Sequence, residues 1–130
     1  MGRMTRILIV EDNSDLRELL SDALADAGFE VLAVTNGAEA LALDGTWQPD
    51  AIVLDLMMPV MDGPTFLQER LRVPSIARVP VLVLTAHPYH HRVLAGLGPT
   101  AVLRKPYDLD ELIDAVRALC QGETGRGLVC

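Results

Sequence analysis

The stretch DAIVLDLMMPVMDG, residues 50–63, sets a carboxylate, Asp55, inside an apolar run, and Pro59, Asp62 and Gly63 then break the chain. A buried carboxylate without a partner is costly. Asp55 therefore either meets water at a strand end or is held in place for chemistry. Other capable residues follow short apolar runs in the same way. Glu11 and Asp12 come directly after RILIV, Thr85 ends VPVLVLT, and Lys105 ends TAVLRK. Carboxylates gathered at one place suit a hard cation bound through oxygen. A hydroxyl and an ammonium add hydrogen-bond donors of the opposite character. Singly, each residue has an ordinary role. Asp12 or Asn13 could cap a helix, Thr85 could cap another, Lys105 could be a solvated lysine, and Asp55 could face water in a turn. Together, those roles do not explain why each of these segments ends in complementary chemistry.

The elements that must position these residues alternate regularly. RILIV (6–10), EVLAV (30–34), DAIVLD (50–55), VPVLVLT (79–85) and TAVLRK (100–105) are short apolar runs, the pattern of strands buried on both faces. Between them lie helical patterns. Leu16, Leu19, Leu20, Ala23, Leu24 and Ala27 recur at helical spacing, with Asn13 or Ser14 to cap the start and Gly28 where the helix stops. GAEALAL (37–43) is a short helix closed by Gly45, and GPTFLQERLR (63–72) is a helix with Pro64 in its first turn. PYHHRVLAGLG (88–98) reads as a short, poorly capped helix. DLDELIDAVRALC (108–120) is amphipathic, with Asp108 as cap and Glu111 three residues on. Five βα units predict an α/β fold, a doubly wound parallel sheet with right-handed crossovers. In such sheets ligands bind outside the carboxyl ends of the strands. Glu11, Asp12, Asp55, Thr85 and Lys105 all fall on that rim.

Composition excludes several function classes. The chain has 130 residues, enough for one domain with a substantial core, and half of them are hydrophobic. Its formal net charge of −7 makes it a poor ligand for nucleic acid or an anionic membrane. Its two cysteines are too few for a disulfide framework. Cys120 reads as a half-buried thiol and Cys130 as part of a loose tail, in keeping with a reducing cytoplasm. Glu11 and Asp12 end the first apolar run too early for a signal peptide, and no run approaches a membrane span. No G-x-G-x-x-G follows the first strand, which excludes a dinucleotide enzyme.

VEDN after the first strand, LDLMMPVMDG around the third, LTA ending the fourth and KP ending the fifth occur in order over residues 6–121. In these four motifs the chain resembles the receiver domain of the two-component response regulator family. The resemblance implies a flavodoxin-like (βα)5 fold with strand order 2-1-3-4-5, a receiver domain over residues 1–121 and a flexible tail over 122–130. It implies a phosphorelay function: Asp55 takes a phosphoryl group from a phosphohistidine of a sensor histidine kinase or histidine phosphotransfer protein. Glu11 and Asp12, with Asp55 and the backbone carbonyl of Met57, match the positions that hold Mg²⁺. Thr85 and Lys105 match those that contact phosphoryl oxygens, and Pro106 the proline that usually follows a cis peptide. Such a domain is not an enzyme in the ordinary sense, although it assists its own phosphorylation and dephosphorylation.

The sequence departs from the family pattern in places. Receivers usually carry Tyr or Phe three residues before the lysine, where this chain has Val102, so the usual threonine–aromatic switch is in doubt. Tyr107 is not an evident substitute. The interval from Thr85 to Lys105 is short. His87, His90 and His91 lie together, but three candidate ligands with no cysteine nearby are a poor transition-metal set. By the resemblance, His87 lies beside the phosphoryl group and tunes its hydrolysis.

The expectation is a cytoplasmic, stand-alone receiver, monomeric or weakly dimeric. It would signal through protein contacts to an unknown downstream target, without binding nucleic acid or membrane directly. The alternative is an interaction module that keeps the fold but works without phosphorylation. An aspartate-nucleophile phosphatase typically needs a second acid two residues after the nucleophile, and that residue here is Met57.

Overall fold

The computed structural model describes residues 4–43, 45–55, 63–86 and 100–121. Five strands form one parallel sheet: β1 (Arg6–Val10), β2 (Glu30–Val34), β3 (Ala51–Asp55), β4 (Val81–Thr85) and β5 (Thr100–Arg104), in the order β2-β1-β3-β4-β5. The described helices are α1 (Ser14–Asp26), α2 (Gly37–Ala42), α3 (Gly63–Arg70) and α4 (Leu109–Cys120). The α/β class and the strand order follow the sequence reading.

Alternation along the strands builds two core layers. Leu8, Val10, Ile52, Leu54, Val81 and Val83 face one side and pack with Ala40 of α2 and Phe66 and Leu67 of α3. Ile7, Ile9, Ala51, Val53, Leu82 and Leu84 face the other, against Leu20 and Leu24 of α1 and Leu112, Val116 and Leu119 of α4. Cys120 belongs to this second layer and is buried rather than half-buried, because it continues the apolar stripe of α4.

The helix starts are chemically defined. Asn13 caps α1, its Oδ1 accepting from Leu16 N at 2.9 Å. Asp108 and Glu111 form a reciprocal capping box on α4. Gly28 ends the α1 connection at φ 103°, a conformation that glycine adopts without steric cost.

Several boundaries shift from the sequence reading. β3 starts at Ala51, because Asp50 turns its carboxylate to accept from Arg6 N at 2.8 Å. β4 starts at Val81, because Pro80 has no N–H to give to a ladder. Val79 lies in the preceding turn, where its N–H donates to Ile76 O at 3.2 Å. α3 ends at Arg70, where Leu71, Arg72 and Val73 turn back with i to i−3 bonds. The expected helix at 88–98 and the tail at 122–130 lie outside the described residues. Among the described residues, no helix is long and apolar enough to cross a membrane.

Candidate functional site at the carboxyl rim of the sheet

Strand register brings the acids together. Val10 pairs with Leu54, so the residues that follow, Glu11 and Asp55, leave adjacent strands side by side. Glu11, Asp12 and Asp55 each offer an oxygen within 4.8 Å of the others. Glu11 and Asp55 are buried, whereas Asp12 is exposed. Thr85 ends β4, next to β3, and is 1% exposed. Lys105 follows β5; its N–H donates to the Thr85 carbonyl at 2.9 Å, and its Nζ reaches Asp55 Oδ1 at 3.4 Å. The Lys105–Pro106 peptide is cis. All five side chains expected on the rim are there.

The electrostatics are those of an acid cluster short of positive charge. Glu11 Oε2 accepts from Asn13 N at 3.2 Å, but Oε1 is buried and accepts no hydrogen bond from the described residues. Burial pushes the Glu11 carboxyl up to about 7, and the charge of Asp55 pushes in the same direction, against the Asn13 N–H that lowers it. Burial and the charges of Glu11 and Asp55 also raise the Tyr107 phenol. A buried carboxylate oxygen with no donor among the described residues, beside two more carboxylates, fits a hard divalent cation. The three acids can therefore hold a metal.

Against this geometry, the response regulator receiver domain matches as a family over residues 7–117. The chain belongs to that family. Among curated relatives, this receiver is 40% identical over 118 residues to the DNA-binding dual master transcriptional regulator RpaA of Synechocystis, covering 89% of this chain and 49% of the relative. It is also 40% identical to the response regulator MprA of Mycolicibacterium vanbaalenii, covering 92% and 52%. The receiver thus spans about half the length of these relatives. The chemotaxis protein CheY4 of Vibrio cholerae superposes with a TM-score of 0.84 at 31% identity, over 90% of this chain and 99% of that one. The signal receiver domain of a histidine kinase from Syntrophus aciditrophicus gives 0.81 at 31% identity, over 91% of each chain.

Some expected participants of this receiver are not among the described residues. Met57, whose carbonyl the resemblance sets at the metal, lies outside the described residues, as do His90 and His91 and likewise His87. Val102 pairs with Val83 and packs on the α2–α3 side of the sheet. Two residues near the site escape the sequence reading. Tyr107, by sequence no evident substitute for the switch aromatic, feels the charges of Glu11 and Asp55. Arg17 donates to the backbone carbonyls of both Glu11 and Asp12. An arginine near the start of a helix carries no local signal of that reach.

Proposed function

We propose that this receiver is the phosphoacceptor of a two-component phosphorelay, with Asp55 as the nucleophile. The observation that carries the reading is the position of Asp55 at the end of β3, between Lys105 Nζ on one side and Glu11 and Asp12 on the other. A carboxylate oxygen of Asp55 attacks phosphorus. The new O–P bond forms as the P–N bond of a partner's phosphohistidine breaks, and the imidazole nitrogen leaves with the electron pair. The product is an acyl phosphate on Asp55. Phosphoryl transfer asks for an in-line nucleophile and positive charge at the equatorial oxygens, with little covalent help.

Lys105 supplies a compact positive charge to one phosphoryl oxygen, and the Thr85 hydroxyl donates to another. Glu11, Asp12 and Asp55 would hold Mg²⁺, which when bound would neutralise charge on the phosphoryl group and offset the repulsion of the acids. The domain assists its own phosphorylation and dephosphorylation without being an enzyme for a separate substrate. It works in the cytoplasm, takes its phosphoryl group from a histidine kinase or phosphotransfer protein, and passes the signal on by protein contacts.

The test is incubation with acetyl phosphate and Mg²⁺, followed by intact mass measurement. Wild type should gain one phosphoryl group, and Asp55→Asn, nearly isosteric and folded, should gain none. Uptake by Asp55→Asn at the wild-type rate would place the acceptor elsewhere. No uptake by wild type would favour the phosphorylation-independent interaction module.

A further inference from the structure

The three acids are held by unequal means. Glu11 is buried, and its N–H continues the sheet by donating to Val34 O at 3.1 Å. Asp55 is set by β3 and by Lys105. Asp12 is exposed, so packing does not fix it, and its neighbours across the site are two more carboxylates that repel it. A cluster of like charges spreads unless its backbone is restrained.

Arg17 supplies that restraint. It lies on α1, whose start is fixed by Asn13, and its own N–H donates to Asn13 O at 2.8 Å. Its Nη1 reaches back past the cap to donate to Glu11 O at 3.0 Å and Asp12 O at 3.3 Å. One guanidinium nitrogen thus ties together the carbonyls of both acids that precede α1. The helix grips Arg17 in turn, since Ser21 Oγ donates to Arg17 O at 2.8 Å. The guanidinium also acts electrostatically on Glu39 of α2, helping to hold that carboxyl below its usual range, after the stronger effect of the Thr35 donors.

We infer that Arg17 is a positioning residue for the cation site: it holds the Glu11–Asp12 backbone in the geometry that lets both carboxylates face Asp55. Two effects compete when it is removed. Loss of a nearby positive charge favours cation binding, whereas loss of the carbonyl clamp lets Asp12 swing away. The clamp dominates, because both carbonyl contacts are made directly to the backbone of the acids themselves. Lysine keeps a positive charge and donors but carries them on a different, flexible stem, so it replaces Arg17 only in part. The inference rests on the receiver reading of the three acids.

The experiment is Mg²⁺ titration of wild type, Arg17→Met, Arg17→Lys and Arg17→Gln, followed by calorimetry and by the backbone amide signals of residues 11–13. The Met and Gln variants should bind Mg²⁺ about tenfold more weakly, the lower end for loss of a partner behind metal ligands, and Lys should recover part of that loss. Phosphoryl uptake at saturating Mg²⁺ should return to the wild-type level, as expected of a residue that does not touch the reacting atoms. Should Met fail to fold, Lys and Gln carry the comparison. Unchanged or tighter Mg²⁺ binding by the variants would overturn the clamp while leaving the receiver reading intact. No Mg²⁺ binding by wild type would overturn both.

Discussion

Lys105 Nζ lies 3.4 Å from Asp55 Oδ1, although fifty positions separate them in the chain. Asp55 ends β3 and Lys105 follows β5, so the ammonium reaches over the end of β4, where Thr85 sits. The pair thus brackets the strand end that carries Thr85, whose hydroxyl the proposed chemistry also uses. Lys105→Ala should slow phosphoryl uptake from acetyl phosphate by about a hundredfold, the scale for loss of one donor to a developing anion. The cost to stability should be small, about 1 kcal/mol or less, because the lysine side chain is 33% exposed and solvent screens the pair. Uptake at the wild-type rate would remove Lys105 from the reaction.

Magnesium and protons should compete at Glu11. Its carboxyl is raised from 4.5 to about 7 in the fold, so the folded state binds the proton more tightly than the unfolded chain does. The Glu11 contribution to stability is then fully present below pH 4.5 and is lost as the pH rises through about 7. Mg²⁺ reverses the preference, because it binds the ionised carboxylates of the folded state only. The rise in melting temperature on adding millimolar Mg²⁺ should therefore be larger at about pH 8 than at about pH 6. Thermal melts with and without Mg²⁺ at both pH values test this. An equal shift at both would mean that Glu11 is ionised without the metal, and no shift at either would count against the metal site.

Much of this site was legible because it sits where strands stop. Short apolar runs ending in Glu11, Asp55, Thr85 and Lys105 place those residues on one rim whatever the helix boundaries are. Side chains that act across the fold were not legible. Arg70 has the pattern of an ordinary surface residue near a helix end, yet it is 0% exposed and its Nη1 donates to Ile76 O and Ala77 O. Those carbonyls belong to the turn after α3, and nothing in the local pattern says that the turn folds back over the helix. Arg17 escapes notice for the same reason. The shifted strand starts reflect Asp50 and Pro80, whose side-chain bond and missing N–H compete with the ladder.

Trp47 should be silent to events at the rim. It lies under the guanidinium of Arg6, which is 5.4 Å from the indole centroid, and Arg6 is the first residue of β1 while Glu11 follows the last. The strand between them puts roughly 15 Å of extended chain between the indole's neighbour and the acids. Tryptophan fluorescence should change little on adding Mg²⁺ or acetyl phosphate, and should report only global unfolding. Strong quenching by Mg²⁺ in the folded protein would contradict this placement.

Val102 should leave the β5–α4 face nearly still on phosphorylation. In most receivers the phosphoryl group draws the threonine hydroxyl inward, and an aromatic ring fills the space it leaves, a packing change biased by charge. Here Val102 pairs with Val83 and packs into the core layer on the α2–α3 side. A β-branched side chain suits that strand position, but valine has no ring to swing from exposed to buried and no hydroxyl to follow the charge. The phosphoryl signal then has to leave through the loops after β3 and β4, or through the charge of the site itself. Amide shift mapping with beryllofluoride and Mg²⁺ should show large changes around Asp55, Thr85 and Lys105 and small ones along β5 and α4. Tyr107 is the residue on which this expectation turns. It senses Glu11 and Asp55 electrostatically and packs with the α1–α4 layer, so a change of charge at the site is felt there. Contiguous shifts along β5 and α4 as large as those at Asp55 would show that a ring has taken over the switch, and Tyr107→Leu should then abolish them.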